Sequence, residues 1–536
     1  GEERRLGLRL MQQVWRSPMY LDDPVTLAYV QVLWNQLLDT ARSRGDVAPE
    51  LDASFAWDLF LIRDRTLNAF ALPGGHVGIH LGLLAATGTA DEFAAVLAHE
   101  LTHVSQRHIA RGFAVRQRQS ALGTAALLLG LLVAARAGNP EIAQAAVAGS
   151  QAAVIQGQLN FSREMEREAD RIGASIHAQA GFSPHGTAAM FDRLEQAARL
   201  NDTGAYAYLR THPLSSERLA DARARAALLP PQPAVLAPMH ALMQGRARAL
   251  MEPSSQNWQR LVSAAGELAP AASENAIDAR VRSERLGALY AGALAAASLG
   301  DHPRAEALAQ ALSRDATAAS PGAEALQTVI AWLSVELALA RGDGSQALAL
   351  MPATHASAPG SPDPKRGEPA AAATGTPGRD AGAQTPGLSR PAARPGLLLQ
   401  AAAALAAAAP DPVSGIVDRR QADARALEAL ASVRQALQVW TAEHPRDALA
   451  WEWLGRCAQA LSLPLLAQRA QAERLATMGD LDAAIDRLLA AQSEARGGPR
   501  ADFIEASIID ARLKQLQAQG RERADELRRE RVPPQR

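Results

Sequence analysis

A single cysteine, Cys457, stands in 536 residues. That excludes an internal disulfide framework and any metal site built from several thiolates. Lysine is nearly absent as well, found only at Lys365 and Lys514, so arginine carries the basic charge. With 55 Lys+Arg against 56 Asp+Glu the net charge is −1, and neither sign is in surplus. Nothing in the balance points to nucleic acid or to an anionic surface, and no nucleic-acid partner is expected. Aromatic residues are only 4% of the chain, but 48% is hydrophobic, which excludes a disordered tail and suffices for several cores. Long apolar runs are lacking too. Gln119–Ala135, the most apolar uncharged stretch, falls short of the ~20 residues that a spanning helix needs. Ile142–Ser162 is longer but is broken by Gln144, Gln151, Gln156, Gln158 and Asn160. The first stretch reads as a buried segment or a peripheral membrane contact. Behind Arg4, Arg5 and Arg9 no apolar run follows, so no signal peptide is expected within this chain.

What is present falls into two parts. Apolar residues at helical spacing from Pro24 to Ser43 predict an amphipathic helix. The short runs Trp57–Ile62, Ala69–Leu72 and His76–Ile79, the last two joined through Pro73-Gly74-Gly75, predict a small antiparallel sheet. Asp91–Arg111 reads as a helix with acidic residues at its N-terminus and Phe93, Val96, Leu97, Leu101 and Val104 on its apolar face. Phe161–Gln179 reads as another, closed by Gly181 and Pro184, and Ser215 caps a third. After the proline-rich stretch 230–238 the chain becomes Ala/Leu/Arg-rich. Gly300-Asp301, Gly342-Asp343 and Gly479-Asp480 punctuate it as turns between helices. Their spacing does not keep a ~34-residue tetratricopeptide register, so an irregular helical bundle stands beside a helical repeat. The expected division is 1–238, an α+β domain in a mainly α chain; 239–353, a repeat segment; 354–396, a disordered Pro/Gly/Ala-rich insertion; and 397–536, a second repeat segment.

The chemistry is concentrated in His99-Glu100-Leu101-Thr102-His103. Histidines four apart lie about 40° apart around a helix and one turn apart along it, so both imidazoles reach one ion. Zinc held by two neutral histidines keeps room for a carboxylate and a water, and Glu100 stands beside that water as general base. The histidine six positions beyond the second, which another zinc-peptidase class carries, is replaced by Ile109. A carboxylate from elsewhere is therefore expected as third ligand. Ser162–Asp170 offers Glu164, Glu166, Glu168 and Asp170, and spacing alone does not choose among them.

These motifs, with Arg107-His108, the Ser-Arg-x-x-Glu-x-x-Ala-Asp run, Asn68-Ala69-Phe70-Ala71 and Thr211-His212-Pro213-Leu214, resemble the metallopeptidase family of the CAAX prenyl protease and the HtpX heat-shock protease. Within that family the C-terminal helical repeats resemble a periplasmic branch that works in outer-membrane protein quality control. The resemblance implies that Glu166 is the third zinc ligand and that Asp170 orients a ligand imidazole. It makes Glu164 and Glu168 solvated surface charges. It implies that His212 can take the metal's open position and hold the enzyme latent, and that Arg218 stabilises the oxyanion. The expected cofactor is one zinc ion per chain. The expected partners are unfolded or misassembled outer-membrane proteins and, through the repeats, the β-barrel assembly machinery. A chaperone-like repeat scaffold with little proteolysis is the competing reading.

The remaining candidates have plainer roles. His108 lies about 140° round the helix from His103 and reads as a surface or supporting residue. His177 is too far along its helix from Glu166 to share an ion, and His76 and His80 belong to a strand. Trp451, Trp453 and Cys457 read as packing residues of the repeats.

Overall fold

The computed structural model describes residues 2–114, 163–200, 212–213, 215–228, 237–267, 279–319, 323–352, 393–409, 415–418, 423–497 and 503–531. The apolar stretches 119–135 and 142–162 and residues 354–392 of the expected insertion lie outside the described residues. Residues 393–396, its expected end, instead open the helix Ala393–Ala408.

The N-terminal elements are α1 (Glu2–Arg16), β1 (Tyr20–Leu21), α2 (Pro24–Arg44), α3 (Pro49–Ser54), β2 (Asp58–Ile62), β3 (Ala69–Leu72), β4 (His76–His80), α4 (Leu81–Ala86) and α5 (Ala90–Ser105). Helix α2 starts where Asp23 accepts the backbone N–H of Thr26 at 2.9 Å, with Pro24 in the first turn, where its missing N–H is no loss. Its buried Val30, Leu33, Trp34 and Leu37 join Phe93 and Leu97 of α5 in one core. The sheet has the order β1-β2-β4-β3. It is mixed, where a purely antiparallel sheet was expected. β4 returns antiparallel beside β3 through the tight turn 73–75, but slots between β3 and β2, and so runs parallel to β2. Residues 63–68 carry the chain past that gap to the edge, a crossover that strand patterns do not encode. β3 is thereby left as an edge strand lying against α5.

The helix expected to run from Asp91 to Arg111 is divided. α5 ends at Ser105, Arg107 adopts a left-handed backbone (φ 54°), and a new helical stretch covers 108–114. A non-glycine residue in that region is strained, and such residues concentrate at functional sites.

Beyond Pro238 all described elements are helices, and among the described residues no helix is long and apolar enough to cross a membrane. The three Gly-Asp turns share one geometry. Gly300, Gly342 and Gly479 have φ of 78°, 81° and 80°, closing one helix in a conformation that L side chains disfavour. The following Asp301, Asp343 and Asp480 accept backbone N–H bonds that open the next. Ser462 (φ 61°) makes a similar turn without glycine. Trp451 and Cys457 are buried in a core with Leu430 and Leu454, and Trp453 packs against it.

Packing does not stop at the expected boundary of 238. One apolar core extends from Val25 to Leu337. Two arginines clasp the start of α2 from the helical region. Arg246 binds Asp23 (2.6 Å), Glu336 (2.7 Å) and the Tyr290 hydroxyl (3.1 Å), while Arg394 binds Asp22 (2.8 Å) and Asp447 (2.7 Å). Arg246 and Asp23 are buried, at 4% and 6% exposure. Replacing Arg246 by Met removes the counter-charge of two carboxylates and is expected to destabilise the fold by about 3–5 kcal/mol. A urea unfolding midpoint equal to that of the unaltered protein would refute this account of the clasp.

Candidate metal centre

Three segments converge on the end of α5. The first is α5 itself, which presents His99, Glu100 and His103, all buried. The second is the helix 163–179, which carries Glu166 and Asp170. It crosses α5 so closely at Gly173 that a Cβ there would lie 3.0 Å from the Ala98 carbonyl oxygen and 3.2 Å from the His99 nitrogen. A side chain there would press on the backbone of α5, so glycine favours this approach, and the approach brings the carboxylates within reach of the histidines. The third is the segment ending at Ser215, which caps the helix Ser216–Ala227 by accepting the Arg218 N–H and holds His212 over the site.

The ligating atoms of His99, His103, Glu166 and His212 all lie within 4.8 Å of one another. His99 Nε2 stands 3.0 Å from His103 Nε2 and 3.4 Å from Glu166 Oε2, and His103 Nε2 is 3.4 Å from Glu166 Oε1. His212 Nδ1 is 3.1 Å from Glu166 Oε1, and its Nε2 is 3.5 Å from Glu100 Oε1. Three imidazole nitrogens and a carboxylate are the donor set that zinc takes. Glu100 is fully buried, and among the described residues neither of its oxygens has a well-formed hydrogen bond, its polar neighbours being His212 Nε2 at 3.5 Å and the Ala71 N–H of β3. An acid so placed beside four metal donors fits a group whose partner is a water at the ion.

The electrostatics carry the same demand for positive charge. Burial opposes a charged His99, yet Asp170 and Glu166 overcome it and lift its pKa to about 10. Burial and the neighbouring imidazoles push His103 well down. Glu166 is desolvated, but hydrogen bonds from His212 and His99 hold it far below the usual carboxylate range. Burial raises Glu100, against the pull of His212, His99 and the Ala71 N–H of β3. A site that recruits a proton where an ion would lie is one that a divalent cation suits.

Each remaining candidate has a definite place. Asp170 Oδ1 accepts from His99 Nδ1 at 3.0 Å. The Arg218 guanidinium is engaged by Asp170 at 2.6 and 2.8 Å, by Glu166 at 3.1 Å and by the Pro213 carbonyl at 2.7 Å. It thus faces two carboxylates of the site. Glu164 is exposed, as expected. Glu168 is not a solvated charge, because it accepts from Arg111 at 2.8 Å and lies 3.1 Å from His108 Nε2. His108 is 2% exposed and meets His103 through Nδ1 at 2.9 Å. The break at Arg107 makes this contact possible, and helical periodicity could not show it. His177 donates to the Asp91 carbonyl, remote from the cluster, and His80 bonds Thr66 beside the sheet. His76 is a buried residue of β4.

Comparison with known proteins agrees with this geometry. The model of Peptidase family M48 matches residues 36–226. A Vibrio cholerae protein is 37% identical over 230 residues, 43% of this chain and 45% of its own length. The beta-barrel assembly-enhancing protease of Escherichia coli K12 is 34% identical over 226 residues, 42% of this chain and 44% of its own. The mitochondrial metalloendopeptidase OMA1 of Schizosaccharomyces pombe is 36% identical over 166 residues, 30% of this chain and 44% of its own. The chain thus spans less than half the length of these relatives. Residues 36–226, which match the model of Peptidase family M48, thus carry a buried zinc-type donor cluster on a His-Glu-x-x-His helix.

Proposed function

We propose that the part of the chain within 1–238 works as a zinc endopeptidase on extended segments of outer-membrane proteins that have failed to assemble. The observation that carries this reading is the buried cluster of His99, His103, Glu166 and His212, with the fully buried Glu100 beside it and the edge strand β3 alongside. His99, His103 and Glu166 hold the metal. Zinc, when bound, acts as a Lewis acid and lowers the pKa of a water toward ~7. Glu100 takes the proton of the attacking water and passes it to the leaving amine; burial raises its proton affinity above that of a free carboxylate, which suits that exchange. The substrate lies extended along Phe70–Leu72 and pairs with the backbone of β3, so that conformation and access select it more than one side chain does.

Asp170 orients the His99 ring through Nδ1. Arg218 neutralises Asp170 and Glu166, a role its contacts support better than the oxyanion role expected for it. His212, against both Glu166 and Glu100, occupies the space a scissile carbonyl needs and keeps the resting enzyme latent. The names of the bacterial relatives, beta-barrel assembly-enhancing proteases, support a role with β-barrel proteins, and we place that role in the quality control of the periplasm. In this reading the helical segments 239–353 and 397–536 engage substrate or the assembly machinery.

Elemental analysis is expected to find one zinc per chain, lost together with casein cleavage in Glu166→Gln; zinc and cleavage both retained would overturn the ligand assignment. Zinc at a hundred times its Kd should stabilise the folded protein by about 2.7 kcal/mol, read as a higher melting midpoint that a chelator reverses. Glu100→Gln is expected to keep its zinc and lose cleavage. If that variant still supports outer-membrane protein assembly in full, the scaffold reading prevails over the protease. His212→Ala should cleave casein faster than the unaltered protein, and an unchanged rate would remove latency from the account.

A further inference from the structure

His103 presents Nε2 to the donor cluster and Nδ1 away from it. Nδ1 lies 2.9 Å from Nδ1 of His108, whose Nε2 lies 3.1 Å from Glu168 Oε2. Glu168 Oε2 also accepts from Arg111 at 2.8 Å. Proton bookkeeping gives this line a direction. A ligating nitrogen carries no proton, so His103 with Nε2 on the metal is protonated at Nδ1 and donates to His108. His108 must then accept at Nδ1, carry its own proton at Nε2 and donate it to Glu168. Each contact in the line has one proton and one acceptor, and the opposite tautomer of His108 would set two N–H groups against each other.

We infer that His108 and Glu168 are positioning residues for the His103 ligand, fixing its ring and tautomer through a line that ends on Arg111. The inference rests on the zinc reading above. It has a counterpart on the other imidazole, where His99 donates directly to Asp170 and Asp170 is held by Arg218. The two ligands need different reaches. Glu166 faces the cluster, and Glu168, two residues further, lies about 200° round the same helix, so its carboxylate meets His103 only through an intervening ring. The left-handed backbone at Arg107 supplies that ring by turning residue 108 back over the end of α5. A strained residue beside an imidazole that is 2% exposed has a purpose here that a surface loop would not require.

The test is zinc affinity, measured by competition with a chromophoric chelator on proteins whose fold is checked by circular dichroism, with the cobalt absorption spectrum as a second readout. His108→Phe keeps a ring but offers His103 no acceptor, and is expected to weaken zinc binding ~10-fold to 100-fold. His108→Asn retains an acceptor near Nδ1 and should recover most of that affinity and the unaltered cobalt spectrum. Glu168→Gln still accepts from His108 but carries no charge, and should bind more weakly than the unaltered protein and more tightly than His108→Phe. Because Glu168 is partly exposed, this variant tests the line even where a core substitution unfolds the chain. The inference fails if His108→Phe binds zinc as tightly as the unaltered protein, if His108→Asn is as weak as His108→Phe, or if Glu168→Gln changes nothing. Absence of zinc binding by the unaltered protein is a different failure, and overturns the metallopeptidase reading itself.

Discussion

Buried charge must be matched, and the site depends on how this chain does so. Glu100, Glu166 and Asp170 are drawn into a region where a lone carboxylate would be strongly disfavoured. Arg218 answers two of them directly, and His99 answers two through hydrogen bonds that raise its own pKa. Glu100 alone of the three has no arginine and no well-formed hydrogen bond among the described residues. This arrangement is tolerable only while α5 and the helix 163–179 remain in contact at Gly173, because a small separation would admit water and dissolve the pairing. Packing at a glycine and chemistry at a metal centre are therefore one constraint.

The same rule joins the peptidase domain to the helices that follow. Asp22 and Asp23 precede α2, and each is held by an arginine that also binds an acid in the helical region, Asp447 through Arg394 and Glu336 through Arg246. Asp23 at the same time caps α2, the helix that packs its Leu33 and Trp34 beside α5. A change in the position of the helical region is thus felt at the base of the helix that supports the site. Neutral His240, its pKa lowered to about 4 by burial, adds a contact of the same kind between Tyr29 and Thr87.

Much of this was legible in the chain because it is local. The start of the His-Glu-x-x-His helix, the cap at Ser215, the short strands between Trp57 and Ile79 and the three Gly-Asp turns each depend on a few neighbouring residues, and all are found where the pattern placed them. The features that escaped are those in which distant segments compete for one partner. The parallel pairing of β2 with β4 requires a crossover, the break at Arg107 requires a contact for His108, and Arg218 turns to carboxylates about fifty residues away.

By itself the sequence determined that two histidines and a glutamate share one helical stretch, since three positions within five residues have their relative angles fixed by the helix. It also determined that a carboxylate had to come from elsewhere, because no further donor stands at a usable spacing on the same helix. Which acid faces the histidines is left open by spacing, with the family resemblance alone pointing to Glu166, and depends on the tertiary structure. Four acidic residues alternate between Glu164 and Asp170, and the crossing at Gly173 turns Glu166 and Asp170 toward the histidines and Glu168 toward His108. Periodicity sets angles within a helix, but the distance between two helices is set by what can pack between them.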